Sequence, residues 1–149
     1  MYKKKIIVFE GIEGSGKSYH INNVSKFLKK KKIKFIKIRE PGGSKNSEKI
    51  RNILMSNNSN FNRLTDLMLY MASRNENYIK FFSKVSKERI ILIDRFIDST
   101  IAYQHYGMGI DLKLINYLNK KILKKTKVDF TFLNTVSINN LKKRLKKRK

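Results

Sequence analysis

At 149 residues the chain fits a single domain, with one hydrophobic core that buries roughly 68–70% of the surface the unfolded chain would expose. With no cysteine, disulfides, cysteine–zinc sites and thiol chemistry are excluded, and the cytoplasm is the default address. The formal charge of +24 ordinarily points to a polyanion, but 27 of the 35 basic residues are Lys and the last 30 residues carry a net +11, so composition and a basic tail account for much of it and nucleic acid is not an expected partner.

The run Lys5 to Glu10, closed by glycine, suits a first strand buried on both faces of a parallel sheet. Its apolar stretch is too short for a signal peptide or a membrane span, so no membrane association is expected. From Lys17 to about Lys32, Ile21, Val24, Phe27 and Leu28 recur at helical spacing, and Ile33 to Arg39 reads as a second strand stopped by Glu40-Pro41-Gly42-Gly43. A helix follows from Ser44 to about Ser56, then a polar loop over Asn57 to Asn62. Leu64, Leu67, Met68, Met71, Tyr78, Ile79 and Phe82 form the apolar stripe of the longest helix.

Ile90 to Ile93 is a third buried strand with Asp94 at its C-terminal end. A helix opens near Ser99, another runs from Asp111 to about Lys125, Phe130 to Leu133 is a fourth strand, and Ile138 to Lys149 is a basic helical end. Strands alternating with helices specify an α/β layer structure with a parallel sheet and right-handed crossovers, whose ligands gather at the C-terminal strand ends. Glu10 to Ser18, Arg39 to Gly43, Asp94, Arg95 and Asn134 all fall there.

The most specific signal is a P-loop, Gly11-Ile12-Glu13-Gly14-Ser15-Gly16-Lys17-Ser18, with a strand before it and a helix after it. Glycines let successive backbone N–H groups point at phosphate oxygens while the following helix N-terminus adds positive potential. Lys17 would reach the β and γ phosphates of a nucleoside triphosphate and Ser18 would ligate Mg²⁺. Asp94 is the natural second partner of the metal; the competing reading makes it a helix cap or the ion-pair partner of Arg95.

In order, GIEGSGKS, Arg39-Glu40-Pro41-Gly42-Gly43, Tyr70-Met71-Ala72-Ser73-Arg74, Asp94-Arg95-Phe96 and Ser99-Thr100-Ile101-Ala102-Tyr103-Gln104 resemble the motifs of bacterial thymidylate kinases. The resemblance implies the three-layer nucleoside-monophosphate kinase fold, transfer of the γ-phosphoryl of ATP to dTMP to give dTDP for dTTP synthesis, and a homodimer. It implies that Lys17, Arg95 and Glu13 are catalytic, Glu13 contacting the acceptor sugar. It also implies a dTMP site of Arg39, Tyr70, Arg74, Arg95, Ser99, Thr100, Tyr103 and Gln104. Arg95 and Arg39 would grip the 5′-phosphate, and Arg51 would either join them or stand exposed on its helix. Tyr70 would stack the base, Arg74 would bond its carbonyl edge, and Tyr103 would crowd the 2′ position.

Simpler readings remain beside these. Arg39 could pair with Glu40 at the sheet edge, Tyr70 and Tyr103 could be packing aromatics, and Arg74 could lie on the surface.

With Gly14 in place of an arginine inside the loop, members of this family use an arginine on a later, mobile lid. Lys149 falls about where that lid should begin, so the resemblance implies a sheet lacking its fifth strand, and a chain that is either a fragment or naturally short. Arg144 and Arg148 could substitute in part, or could belong to a solvated basic helix end. Another small P-loop kinase, or an inactive nucleotide-binding protein, stands as the alternative function.

Overall fold

A computed structural model describes residues 5–56, 59–83 and 89–146. Strand β1 (Lys5–Glu10) is followed by α1 (Lys17–Lys30), β2 (Phe35–Arg39), α2 (Lys45–Leu54) and α3 (Arg63–Asn77), the last continuing into a π-helical turn at Tyr78–Phe82. Then come β3 (Ile90–Asp94), the short α4 (Ile97–Thr100) prolonged as a π-helical run over Ile101–Gly107, α5 (Leu112–Leu123), β4 (Phe130–Leu133) and α6 (Ile138–Lys146). The strands form one parallel sheet in the order β2-β3-β1-β4.

The central strands β1 and β3 direct side chains to both faces, as an uninterrupted apolar run requires. On one face Phe9 and Leu92 meet Ile21 and Leu28 of α1. On the other, Ile6, Val8, Ile91 and Ile93 meet Phe82, Phe96 and Leu123. A third cluster, Leu67, Met71, Ile110 and Ile115, joins α3 to α5. The result is the expected helix–sheet–helix sandwich with four strands among the described residues. β4 is the exposed edge; its Phe132 stacks on Phe9 with centroids 5.2 Å apart.

Three expectations shift. β2 begins at Phe35 rather than Ile33, because α1 ends in a Schellman motif: Ile33 N–H donates to Leu28 O (2.9 Å) and Lys32 N–H to Lys29 O (3.0 Å), with Lys32 left-handed at φ 55°. The helix expected near Ser99 already opens at Ile97. The apolar stripe of α3 is only partly buried. Leu64, Met68 and Ile79 are exposed, whereas Leu67, Met71, Ser73, Arg74 and Asn77 are buried, so the inward face lies roughly a quarter turn from the apolar one.

That rotation follows from a polar network between α3 and the loop after β2. Ser47 Oγ donates to Gly42 O (3.1 Å) and Ser73 O (2.9 Å), Asn77 Nδ2 donates to Gly42 O (2.7 Å), and Arg74 pairs with Glu40. Each buried polar group has found a partner, so burying that face is not costly. The Glu40–Pro41 bond in this loop is cis.

Candidate functional site

The loop from Gly11 to Gly16 turns out of β1 through left-handed backbone at Gly14 (φ 75°) and Gly16 (φ 99°). Gly16 also stands at the N-cap of α1, where no side chain caps the helix and no acidic residue occupies the first turn. The free N–H groups and dipole of this helix end therefore face an open cleft of about 810 Å³. Lys17 is nearly buried and its ammonium donates to Gly11 O (2.7 Å) and Ile12 O (2.9 Å). Burial holds its pKa below the usual lysine value, and the neighbouring Arg95 lowers it further against the pull of Asp94, Glu10 and Glu13.

Ser18 and Asp94 line the same cleft. The Oδ1 atom of Asp94 is buried with no hydrogen-bond partner, and no ion pair to Arg95 is formed among the described residues, so neither competing reading of Asp94 applies. A buried, unsatisfied carboxylate oxygen at a strand end beside a phosphate cradle is what a cation held jointly with a triphosphate needs, and the donor set fits Mg²⁺. Among the described residues no group of three or more His, Cys, Asp and Glu could hold a metal.

Arg144 reaches this cleft from α6, its Nη1 donating to Gly14 O at 2.8 Å. Leu141 of the same helix lies so close that a Cβ at position 14 would meet its Cδ1 at 2.8 Å. Arg144 is exposed, on a helix that buries no residue, so α6 is a solvated basic end whose Arg144 also touches the loop; Arg148 lies outside the described residues.

A second cavity, of about 400 Å³, opens beside the first. Tyr70, Arg74, Arg95, Phe96, Ser99, Thr100 and Tyr103 line it with Pro41, Met55, Glu13, Glu40 and Arg51. Glu13, Glu40, Arg51 and Arg95 line both cavities, so the two meet at these four residues. The Arg95 guanidinium lies over the Tyr103 ring, 5.4 Å from its centroid. Arg51 donates to Pro41 O at 2.8 Å, and burial followed by Arg39 keeps its pKa below the usual arginine value. The Tyr70 hydroxyl is pushed up, first by burial and then by Asp66.

Some expected residues stand elsewhere. Arg39 lines the P-loop cleft but not the second cavity, and it pairs with Glu48 (Nη2–Oε2 2.8 Å) instead of Glu40. Gln104 lines neither cavity; it is buried with its amide donating to Asp66 (3.0 Å). Arg74 does line the second cavity, but it is 1% exposed and all but one of its N–H donors face oxygen acceptors. Nε goes to Glu40 (2.7 Å), Nη2 to Thr100 Oγ1 (2.9 Å) and Phe96 O (3.1 Å), and Nη1 to Asn119 Oδ1 (2.6 Å) and, at 4.0 Å, to the Met71 sulfur, while the guanidinium lies over the Phe96 ring 5.1 Å from its centroid.

Comparison with known proteins decides the family. A sequence model of the family described as thymidylate kinase matches residues 9–149. A thymidylate kinase of Sulfurihydrogenibium sp. (strain YO3AOP1) is 43% identical over 146 residues, covering 96% of this chain and 71% of that one. The chain belongs to the thymidylate kinase family. A thymidylate kinase of Thermosipho africanus is 46% identical over 116 residues, which are 76% of this chain and 57% of that protein. In three dimensions the crystal structure of the Ehrlichia chaffeensis thymidylate kinase superposes with a TM-score of 0.84 at 34% identity, covering 97% of this chain and 83% of that one.

Two residues bearing on this thymidylate kinase site escaped the sequence reading. Asn119 sits on α5 and receives Arg74 Nη1; it lies one turn from both Ile115 and Leu123 on the buried face of the helix, and that register was its available signal. Glu10 ends β1, is 3% exposed, and accepts from Phe96 N–H (2.8 Å) and the Ser99 hydroxyl. A carboxylate closing a buried strand was its available signal.

Proposed function

We propose that the P-loop cleft holds ATP, that the second cavity holds dTMP, and that the γ-phosphoryl passes between them where the cavities meet. The observation that carries this reading is the shared lining: Arg95, Arg51, Glu13 and Glu40 face both cavities. The transferring group and the acceptor phosphate are anions, and the two arginines at the junction suit them because guanidinium meets phosphate bidentately and keeps its charge.

Backbone N–H groups of the loop and the α1 N-terminus bind the triphosphate, and Lys17 leaves its loop carbonyls for the β and γ oxygens. Ser18 and Asp94 would hold Mg²⁺, which when bound neutralises charge on the phosphates. Arg144, already at the loop, adds a cation on the donor side. In the acceptor cavity Tyr70 offers a ring to stack the base. One Arg74 Nη1 hydrogen faces only the Met71 sulfur and is the donor available to a base carbonyl. Arg95, backed by Ser99 and Tyr103, takes the 5′-phosphate, with Arg51 beside it and Arg39 at longer range. Glu13 is placed for the sugar.

The attacking oxygen belongs to a monoester whose second pKa is about 6, so it is ionised at pH 7 and no general base is required. Catalysis then rests on in-line positioning and on cations surrounding the γ-phosphoryl. We place the reaction in the cytoplasm, in keeping with a cysteine-free chain; among the described residues no helix is long and apolar enough to cross a membrane. We also propose a homodimer through α3, whose Leu64, Met68 and Ala72 present an exposed small-to-apolar line at i, i+4 spacing.

The test is ADP release with ATP as donor across dTMP, dUMP, AMP and shikimate. dTMP is the expected best acceptor; another acceptor preferred over it would overturn the substrate assignment.

A further inference from the structure

We infer that Glu10 is the positioning residue for Arg95, acting through the Ser99 hydroxyl to aim the guanidinium into the acceptor cavity. The inference rests on the reading of Arg95 as the acceptor-phosphate ligand.

Arg95 is held in an unusual backbone state. It follows β3 directly and has φ 66°, in the left-handed region that a branched or long side chain adopts at a cost of about 1–2 kcal/mol. Such a state persists only where neighbours over-determine it. Here the last two residues of β1 do so. Phe9 O accepts Arg95 N–H at 3.0 Å, and Glu10 Oε1 accepts the next backbone donor, Phe96 N–H, at 2.8 Å, and Ser99 N–H at 3.3 Å.

The second carboxylate oxygen sets direction. Ser99 Oγ–H donates to Glu10 Oε2 at 2.5 Å, which turns the hydroxyl's lone pairs outward, and Arg95 Nη1 donates to that same Oγ at 3.3 Å. All of the contacts to Glu10 come from donors, the pattern a carboxylate takes and an amide cannot reproduce at both ends. In Glu10→Gln the amide NH₂ would face Ser99 Oγ, the hydroxyl proton would have to turn towards Arg95, and Nη1 would keep only the longer contact to the Tyr103 hydroxyl (3.4 Å). Glu10 is also the residue before Gly11, and its carbonyl accepts Asn134 N–H at 2.8 Å. One residue thus ties the start of the donor loop to the acceptor arginine.

Calorimetric binding of dTMP and of ATP to the full chain tests this with Glu10→Gln, Ser99→Ala, Ser99→Thr and Arg95→Ala, each checked by its melting curve. Ser99→Ala leaves the buried carboxylate in place and so guards against a Glu10 variant that does not fold. The expected result is that Glu10→Gln and Ser99→Ala each weaken dTMP about 10- to 100-fold, the equivalent of one charge-assisted hydrogen bond, and leave ATP affinity unchanged. Ser99→Thr should retain wild-type dTMP affinity, and in the Arg95→Ala background neither Glu10→Gln nor Ser99→Ala should weaken dTMP further. Effects that add fully to Arg95→Ala, or that weaken ATP equally, would show a general structural role and overturn the inference. If the unsubstituted chain binds no dTMP, the substrate reading falls on that measurement alone. The positioning claim is then decided by the Arg95 guanidinium N–H signals in NMR, expected to be resolved in the unsubstituted chain and averaged in Glu10→Gln; identical signals in both would refute it.

Discussion

Replacing Arg74 with Met removes the cation from the most deeply buried ion pair among the described residues. Glu40 and Arg74 have side chains 3% and 1% exposed and meet at 2.7 Å. After the substitution Glu40 keeps only the Asn77 amide, 3.3 Å from Oε1. Removing one partner of a buried pair costs about 3–5 kcal/mol, because the remaining charge has no counterion. For a chain of this length that corresponds to a fall in Tm of roughly 6–20 °C.

The loss must depend on pH. Burial already pushes the Glu40 carboxyl up, against Arg74 and Asn77, and without the arginine it rises further. A carboxyl whose folded pKa lies above its unfolded value loses stability as pH rises through the folded value. The Arg74→Met protein should therefore recover stability on acidification, and the double variant Glu40→Gln/Arg74→Met should recover part of it at neutral pH. Urea melts at pH 5 and pH 8 read both effects. A single-variant loss below about 1 kcal/mol, the range of exposed pairs, or one that is the same at both pH values, would refute the buried pair.

Glu48 carries the opposite sign. Hydrogen bonding from Arg39 holds its carboxyl below the ordinary value, so its contribution is present above the unfolded value of 4.5 and disappears as pH falls through the folded one. Since both side chains are substantially exposed, Glu48→Gln should cost no more than about 1 kcal/mol at pH 7, with the difference from wild type vanishing in acid melts. Arg144→Ala should weaken ATP about tenfold, the low end for one charge-assisted contact, and leave dTMP affinity unchanged in calorimetry. Met68→Glu on the exposed line of α3 should convert a dimer to a monomer in sedimentation experiments, with the far-ultraviolet spectrum unaltered.

The order of elements and the site's general location were legible because they rest on strong local signals. An apolar run closed by Gly11 and carrying GKS is a strand, a phosphate loop and a helix start together, and the REPGG and DRF segments fall at the ends of the neighbouring strands. The inward face of α3 was not legible. Periodicity assigns Leu64, Met68 and Ile79 to the core and Arg74, Ser73 and Asn77 to the flank, because hydropathy assumes that polar side chains seek water. The structure buries the polar three because Glu40, Gly42 and Ser47, far away in sequence, supply their partners. Long-range satisfaction of this kind leaves no trace in the local pattern, and the same holds for the exchange of Glu40 for Glu48 as the partner of Arg39; Asn119, in register with Ile115 and Leu123, did leave one.

Two arginines of the second cavity follow one physical logic. Arg74 and Arg95 are both arginines whose guanidinium groups are oriented by a buried acid at the end of a different strand or loop: Glu40 after β2 for the first, Glu10 at the end of β1 for the second. A long, flexible cation cannot define a binding geometry alone, since its rotamer freedom has to be lost on every binding event. Fixing it beforehand with a carboxylate that water cannot reach moves that cost into folding. The parallel sheet makes this possible, because its C-terminal edge brings Glu10, Arg39, Glu40, Asp94 and Arg95 together from three neighbouring strands. A substitution at Glu10, which lines neither cavity, should therefore alter recognition without touching either ligand, and the arginine, not the acid, should report the damage.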